Sequence, residues 1–356
     1  MSKALGRGRP GLNNKDLNQA ISLWKEHGKS IGKAALSAGM SYATFYNRLN
    51  RAFDVLGEND NNEFDIKPPF DPEEPVEKTV ERMLENYKNN KRAKDERDLM
   101  PIKVNHDKPI CIVFMGDPHI GNPGMNIESF MDDVQIIRNT DGMKVINLGD
   151  TTDAWIGYLC KLYANSPVTV NQTWRLVEYF LGKENGLGDQ FLVAIAGNHD
   201  LFHESYGDIL EWMKEPKTIY EEWAASLDIQ FTNNVSCKIH AAHDHPGRSQ
   251  YAANFGQTKA AMFMSKYDII AGGHTHTWMT STFEQPGHDR VCHTIRARGY
   301  KHFDHYGKKL GYEEMQYGQS ICCVIDPRAE SRIDFITTFP SVKTAADFLN
   351  YKRSKL

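Results

Sequence analysis

The sequence predicts an α/β protein, a layered domain of buried strands and covering helices, preceded by a small all-α module. Three observations predict it. Short runs rich in Val and Ile, each cut off by a glycine, recur between residues 110 and 273, and such runs read as buried strands. Stretches with apolar residues at helical spacing lie between them. The charge is also divided. Residues 1–56 carry nine Lys and Arg against three Asp and Glu, the remainder carries 33 against 43, and the whole chain has a net charge of −4. A basic head on an acidic body suggests a nucleic-acid module joined to a separate domain.

Residues 1–11 form a basic arm. In Gly6-Arg7-Gly8-Arg9-Pro10 the backbone is narrow and extended, so Arg7 and Arg9 suit the floor of an A·T-rich minor groove. Residues 12–56 have the spacing of three helices. Asp16 to His27 carries Leu17, Ile21, Leu23 and Trp24 and is stopped by Gly28; Ile31 to Ala38 is a second helix; Gly39 makes a tight turn; Tyr42 to Phe53 is the third. Ala35 permits close packing, and Phe45 and Leu49 fill the core. This is helix-turn-helix spacing. The polar face of the third helix offers Ser41, Thr44, Asn47 and Arg48 to a major groove, and the alternative is a three-helix protein-interaction module. Residues 57–105 are a linker and a connecting helix. Polar 57–71, with Pro68-Pro69, is unsuited to packing. Glu73 to Asp98 carries the stripe Val76, Val80, Met83, Leu84 and Tyr87, expected to pack on the domain that follows.

That domain spans 106–340. Strands are expected at Ile110 to Met115, Val145 to Leu148, Phe191 to Ala196, Val235 to Ala242 and Ile269 to Ala271, and helices at Asn126 to Asn139, Thr169 to Leu181 and Asp208 to Leu227. Three β-like segments, 278–283, 290–296 and 320–326, follow, and 341–356 is a C-terminal tail with a short basic helix. The aromatic loop Trp155 to Pro167 is placed to line a cleft. No stretch approaches the roughly 20 apolar residues of a membrane helix. The N-terminus lacks an apolar signal region, and six cysteines without a CxxC pair suit a reducing cytoplasm.

The strands end in chemistry. Gly116-Asp117-Pro118-His119, Gly149-Asp150-Thr151-Thr152-Asp153, Gly197-Asn198-His199-Asp200 and Gly273-His274-Thr275-His276 each follow an apolar run, and His243 follows Val235 to Ala242. In open α/β sheets ligands bind at such ends. Carboxylate, imidazole and amide donors suit hard or borderline divalent cations. There are enough donors for two ions, and a pair roughly 3.5–4 Å apart can hold the attacking and leaving oxygens of a phosphoryl displacement. Asp150 is the natural bridge. His240, His243 and His245 share one segment. His243 stands at the strand's end, His240 lies deeper in the strand, and His245 is already in the turn before Pro246-Gly247.

This ordered set resembles the calcineurin-like metallophosphoesterase superfamily over about residues 109–340. The resemblance implies a four-layer α/β/β/α sandwich and metal-dependent hydrolysis of phosphate esters. It implies Asp117, His119, Asp150 and His276 for one metal, and Asp150, Asn198, His243 and His274 for a second. The ions would be Mn2+ first, with Zn2+, Fe2+, Ni2+ and Mg2+ as alternatives. His199 would be the non-ligand histidine near the phosphate, a general acid or an orienter of the leaving group, and Asp153 and Asp200 would fix ring orientation. Gly299-Tyr300-Lys301, Asp304 and Tyr306 look like phage-encoded members, which would place the protein in a host cytoplasm. The basic and aromatic groups from Arg296 to Lys309 suit a phosphate-rich polymer. Separately, Gly8-Arg9-Pro10, Asn14-Lys15, Ile21, Gly28, Ala35, Gly39, Thr44, Tyr46 and Arg48 resemble the DNA-binding domain of serine-recombinase DNA invertases over residues 6–50. Together these imply a phosphodiesterase acting on DNA, a nuclease with DNA as partner and no membrane. The alternatives are a phosphomonoesterase or cyclic-nucleotide phosphodiesterase tethered to DNA, and a DNA-binding scaffold with a silent esterase domain. The sequence is compatible with a dimer.

Overall fold

In the computed structural model, helices α1 (Asn14–Glu26), α2 (Ile31–Ser37) and α3 (Tyr42–Leu56) close on one small core. Leu17, Ile21, Ala34, Ala35, Phe45, Leu49 and Ala52 are buried together there. Gly39, at φ 64°, supplies the left-handed turn before α3, where a side chain would be strained. The structure describes residues 13–56, 74–155, 157–201, 218–285, 287, 290–302 and 317–356. The arm with Arg7 and Arg9, the linker 57–71, and Asp304 and Tyr306 lie outside the described residues. The chain divides into two compact units, Met1–Leu84 and Glu85–Leu356.

Helix α4 (Val76–Arg97) forms as its spacing predicts, but Val76, Val80, Met83, Leu84 and Tyr87 are exposed. Charged side chains occupy most of the helix circumference, and the apolar stripe between them is narrow.

In the second unit the chain runs β1 (Met100–Val104), β2 (Ile110–Met115), α5 (Ile127–Asn139), β3 (Met143–Asn147), α6 (Val170–Leu181), β4 (Phe191–Ala196), β5 (Ile219–Glu222), β6 (Ala224–Phe231) and β7 (Ser236–Ala242). It continues through α7 (Phe255–Phe263), β8 (Ile269–Gly272), β9 (Met279–Gln285), β10 (Arg290–Arg296), β11 (Ser320–Ile325), β12 (Ile336–Phe339) and α8 (Val342–Ser354). Two six-stranded mixed sheets result, in the orders β12-β11-β2-β3-β4-β5 and β1-β6-β7-β8-β10-β9.

The sheets meet face to face. Ile112, Phe114, Ile146 and Ile195 of one are buried with Leu227, Ile229, Ile239 and Ile269 of the other. On β2 the alternate residues Cys111, Val113 and Met115 point to the opposite side, under α5, α6 and α8. On the outer face of the second sheet, Ala261 of α7 packs with Ile270 and Cys292. The layers are therefore helix, sheet, sheet, helix, the α/β/β/α order expected. Because β2 is covered on both faces it reads as a continuous apolar run, as buried parallel strands do.

Two expectations are corrected. The predicted helix over Asp208 to Leu227 is, from Ile219 on, strands β5 and β6, and its first part lies outside the described residues. Along β6, buried Ala225, Leu227, Ile229 and Phe231 alternate with half-buried neighbours, a period of two that faces the core from one side. The segment expected as a tail is a packed element, since α8 buries Val342, Ala345, Ala346 and Leu349. Among the described residues no helix is long and apolar enough to cross a membrane.

Candidate metal centre

Parallel pairing of β2, β3 and β4 in one sheet, and of β7 and β8 in the other, carries their C-terminal ends to one edge of the sandwich. The motif loops leave from these ends. Five donor-bearing residues hold left-handed backbone: Asp117 (φ 47°), His119 (45°), Asp150 (52°), His274 (74°) and His276 (50°). Each such residue costs on the order of 1–3 kcal/mol and persists only where its surroundings over-determine it. Here hydrogen bonds do so. Asp117 N donates to Gly149 O at 3.1 Å, His119 N to Asp150 O at 3.1 Å, and His274 N to Asp117 Oδ2 at 2.7 Å. Gly197 lets the β4 loop close on this lattice, since a Cβ there would stand 2.3 Å from Asp150 Oδ1.

Two groups of donors converge. Asp117, His119 and His276 form one, and Asp150, His243 and His274 the other, each with its donor atoms within 4.8 Å of one another. Asn198 Oδ1 joins the second group, 3.0 Å from His243 Nε2, and Asp150 Oδ2 lies 3.3 Å from the same nitrogen. In the first group Asp117 Oδ1, His119 Nε2 and His276 Nδ1 are buried without a hydrogen-bond partner among the described residues. Burying polar atoms unsatisfied costs about 1–3 kcal/mol each, so a converging set of them fits an ion that would take their lone pairs.

The electrostatics agree. Burial pushes the Asp117 carboxyl up to about 8, against the pull of His243. Burial would also raise Asp150, but the charge and hydrogen bond of His243 hold it below the usual carboxylate range. Burial would lower His243, and the Asp150 carboxylate lifts it instead to about 10. Burial keeps His119, His274 and His276 below the ordinary imidazole value. These three rings thus meet the requirement that a ligating imidazole be unprotonated, and the protons on Asp117 and His243 are those that cations would displace.

Of the three neighbouring histidines the structure brings only His243 to the donors, with Nδ1 fixed 2.8 Å from Leu148 O. His240 bonds Ser226 on the outer side, and His245 is buried against His240. His199 is half-buried beside the first group, its ring 5.2 Å from that of His119. Its backbone N–H donates to Asp150 Oδ1 at 2.9 Å, and its Nδ1 bonds the Asp153 carbonyl. Asp153 Oδ1 lies 2.9 Å from His119 Nδ1.

The Asp200 carboxylate accepts the backbone N–H groups of Asp150 (2.7 Å), Thr151 (3.1 Å) and Gly197 (2.9 Å). It ties two motif loops together. Asp200→Ala should therefore lower the unfolding free energy in urea by about 3 kcal/mol or more, because three buried donors lose their acceptor. A change below about 0.5 kcal/mol, the size of an ordinary surface substitution, would exclude this role.

Two cations that the sequence groups with a basic surface stretch are internal. Arg296 is buried and donates to Gly273 O at 3.1 Å and to Asp244 Oδ1 at 3.1 Å, which clamps the His274 loop. Lys301 is buried with Nζ 3.9 Å from Asp153 Oδ1. Arg296 stands opposite Gly272 in the pairing of β10 with β8, a long-range contact with no local signal.

In the first unit, Ser41, Thr44 and Asn47 are exposed and Arg48 is half-buried. Ser41 Oγ accepts the Thr44 N–H at 3.2 Å, so the helix cap uses part of the capacity assigned to base contacts. Tyr42 and Tyr46, missing from the site residues taken from the sequence, stack on the exposed side of α3 with centroids 6.3 Å apart.

No protein-family model matches the chain, and no curated protein matches it either. Solved structures similar to it include vacuolar protein sorting 29 from Cryptosporidium parvum, at 14% identity over 62% of this chain and 87% of that one, with a TM-score of 0.32. A predicted phosphoesterase from Streptococcus pneumoniae matches at 13% identity over 65% and 97%, with a TM-score of 0.30. Vacuolar protein sorting 29 from Entamoeba histolytica, complexed with zinc, matches at 13% over 65% and 97%, with a TM-score of 0.31.

Proposed function

We propose that the chain is a dinuclear-metal-dependent phosphodiesterase acting on DNA, directed there by its N-terminal helical module. The observation that carries this reading is the convergence of two donor groups, one with three buried atoms that have no hydrogen-bond partner among the described residues. Asp117, His119, Asp150 and His276 would hold one ion, and Asp150, Asn198, His243 and His274 the other, with Mn2+ the first choice. Bound there, the ions would neutralise charge on the attacking and leaving oxygens of a phosphoryl group.

The chain's own residues supply the rest. Asp153 holds the His119 ring, and Asp200 and Arg296 hold the loops that bear the donors. The Nδ1–H of His199 is taken by the Asp153 carbonyl, so Nε2 is the atom that would exchange a proton with the leaving oxygen. DNA is favoured over smaller phosphates by the positive charge of residues 1–56 and by the exposed polar side of α3. Ser41, Thr44, Asn47 and Arg48 would face the major groove, and Arg7 and Arg9 the minor groove.

The test incubates metal-loaded protein with supercoiled plasmid, linear duplex, single strands and p-nitrophenyl phosphate esters in parallel, using the full chain and a version lacking residues 1–56. Deletion should leave hydrolysis of a small diester near normal while cleavage of long DNA at low concentration falls by about tenfold or more, since the second contact no longer raises local concentration. Cutting of long DNA with equal efficiency by both proteins would refute the DNA-directed reading.

A further inference from the structure

A cavity of about 140 Å³ opens beside the metal centre, between the loop after β2 and the segment that follows β3. Trp155, Tyr163 and Trp174 supply aromatic walls, and Asp153, which orients His119, forms part of its rim. Its volume is close to the roughly 150 Å³ of an apolar cavity that accommodates one benzene ring. Several polar groups of the lining are already engaged. Asn122 Nδ2 donates to Asp153 Oδ2 at 2.6 Å, Asn122 Oδ1 accepts the Gly124 N–H at 2.7 Å, and Ser166 Oγ donates to Val168 O at 2.8 Å. The lining thus combines three aromatic side chains with a size limit. Trp155 is itself held on two sides. Its ring meets the His199 ring edge-on at 5.2 Å, and the Lys301 ammonium stands 5.4 Å from its centroid.

We infer that this cavity is a subsite for one unpaired nucleobase of the substrate, a single ring lodged against Trp155 while the adjoining phosphate lies at the metal centre. The inference rests on the phosphodiesterase reading above and adds a substrate class to it. A base in this cavity has left its stack and its partner, so the strand that is cut is single or frayed. Stacking on aromatic faces is tolerant of sequence, which makes the preference one for strandedness and not for a motif.

The experiment separates base recognition from chemistry. With the metal-loaded full chain, kcat/KM is compared for the p-nitrophenyl esters of thymidine 5′-phosphate and of 1,2-dideoxyribose 5-phosphate, which share a leaving group and a sugar and differ in the base. The thymidine ester should be preferred by about tenfold or more, the size of one base–aromatic stacking contact. Trp155→Ala should bring the ratio of the two to within about twofold of unity, and Trp155→Phe should keep most of the preference. Leu162→Trp, which fills the cavity from another wall, should also abolish the ratio, and it decides the matter should Trp155→Ala not fold. Calorimetric binding of thymidine 5′-monophosphate against 1,2-dideoxyribose 5-phosphate reads the same contact without turnover. Hydrolysis of both esters with a ratio near unity in the unmodified protein overturns the subsite and spares the phosphodiesterase reading. Base-dependent binding with neither ester cleaved does the reverse. A preference that survives both Trp155→Ala and Leu162→Trp overturns the subsite as well.

Discussion

Asp150→Asn should lower the metal content of reconstituted protein from about two divalent ions per chain to fewer than one, and reduce diester hydrolysis by at least about 10²–10³-fold, the cost of removing one preorganised charged group from a reaction centre. The reason is position. Asp150 is buried with one oxygen 3.3 Å from His243 Nε2 and the other accepting the His199 N–H at 2.9 Å, and its charge helps to raise the Asp117 carboxyl. An amide of the same shape keeps an oxygen but brings no charge to balance two cations held close together. Elemental analysis after removal of excess metal gives the stoichiometry directly. Native protein that saturates at one ion per chain would sink the dinuclear reading, whatever the variant does.

His199→Ala should leave the metal content intact and slow turnover by about 10²-fold or more, the contribution of a positioned general acid. The backbone N–H of residue 199 remains available to Asp150, because the substitution removes only the ring. The ring itself belongs to neither donor group and is set by the Asp153 carbonyl and the edge of Trp155. Loss of metal in parallel with activity would show that His199 is a ligand and that the division of roles is wrong.

The donors were legible in the sequence because their signal is local. An apolar strand, a glycine and a polar donor follow one another within a few residues, so Asp117, Asp150, Asn198 and His274 can be placed at strand ends without knowing which strands are neighbours. His243 needed one more inference, from its position at the strand's end, and it follows directly on β7. Long-range contacts were not legible. The Asp200 carboxylate accepts N–H groups from a loop 50 residues earlier, and Arg296 clamps a loop from a neighbouring strand. Nothing beside either residue in the chain announces this. The segment from Ile219 to Phe231 misled for a different reason. Glu221 and Glu222 suit a helix, and the period of two along β6 is that of the sheet it joins.

The left-handed backbone at Asp117, His119, Asp150, His274 and His276 sets this protein's evolutionary and engineering margin. A domain's whole net stability is about 5–15 kcal/mol, and five strained residues at about 1–3 kcal/mol each are comparable with that net. Glycine at any of the five would relieve the backbone and delete a donor in the same step. Selection for thermal robustness alone would therefore erode the centre, one relaxed loop at a time, and a library screened only for folding should accumulate glycine or asparagine at these positions. Stabilising changes that spare chemistry must come from elsewhere, in the cores or on the helices.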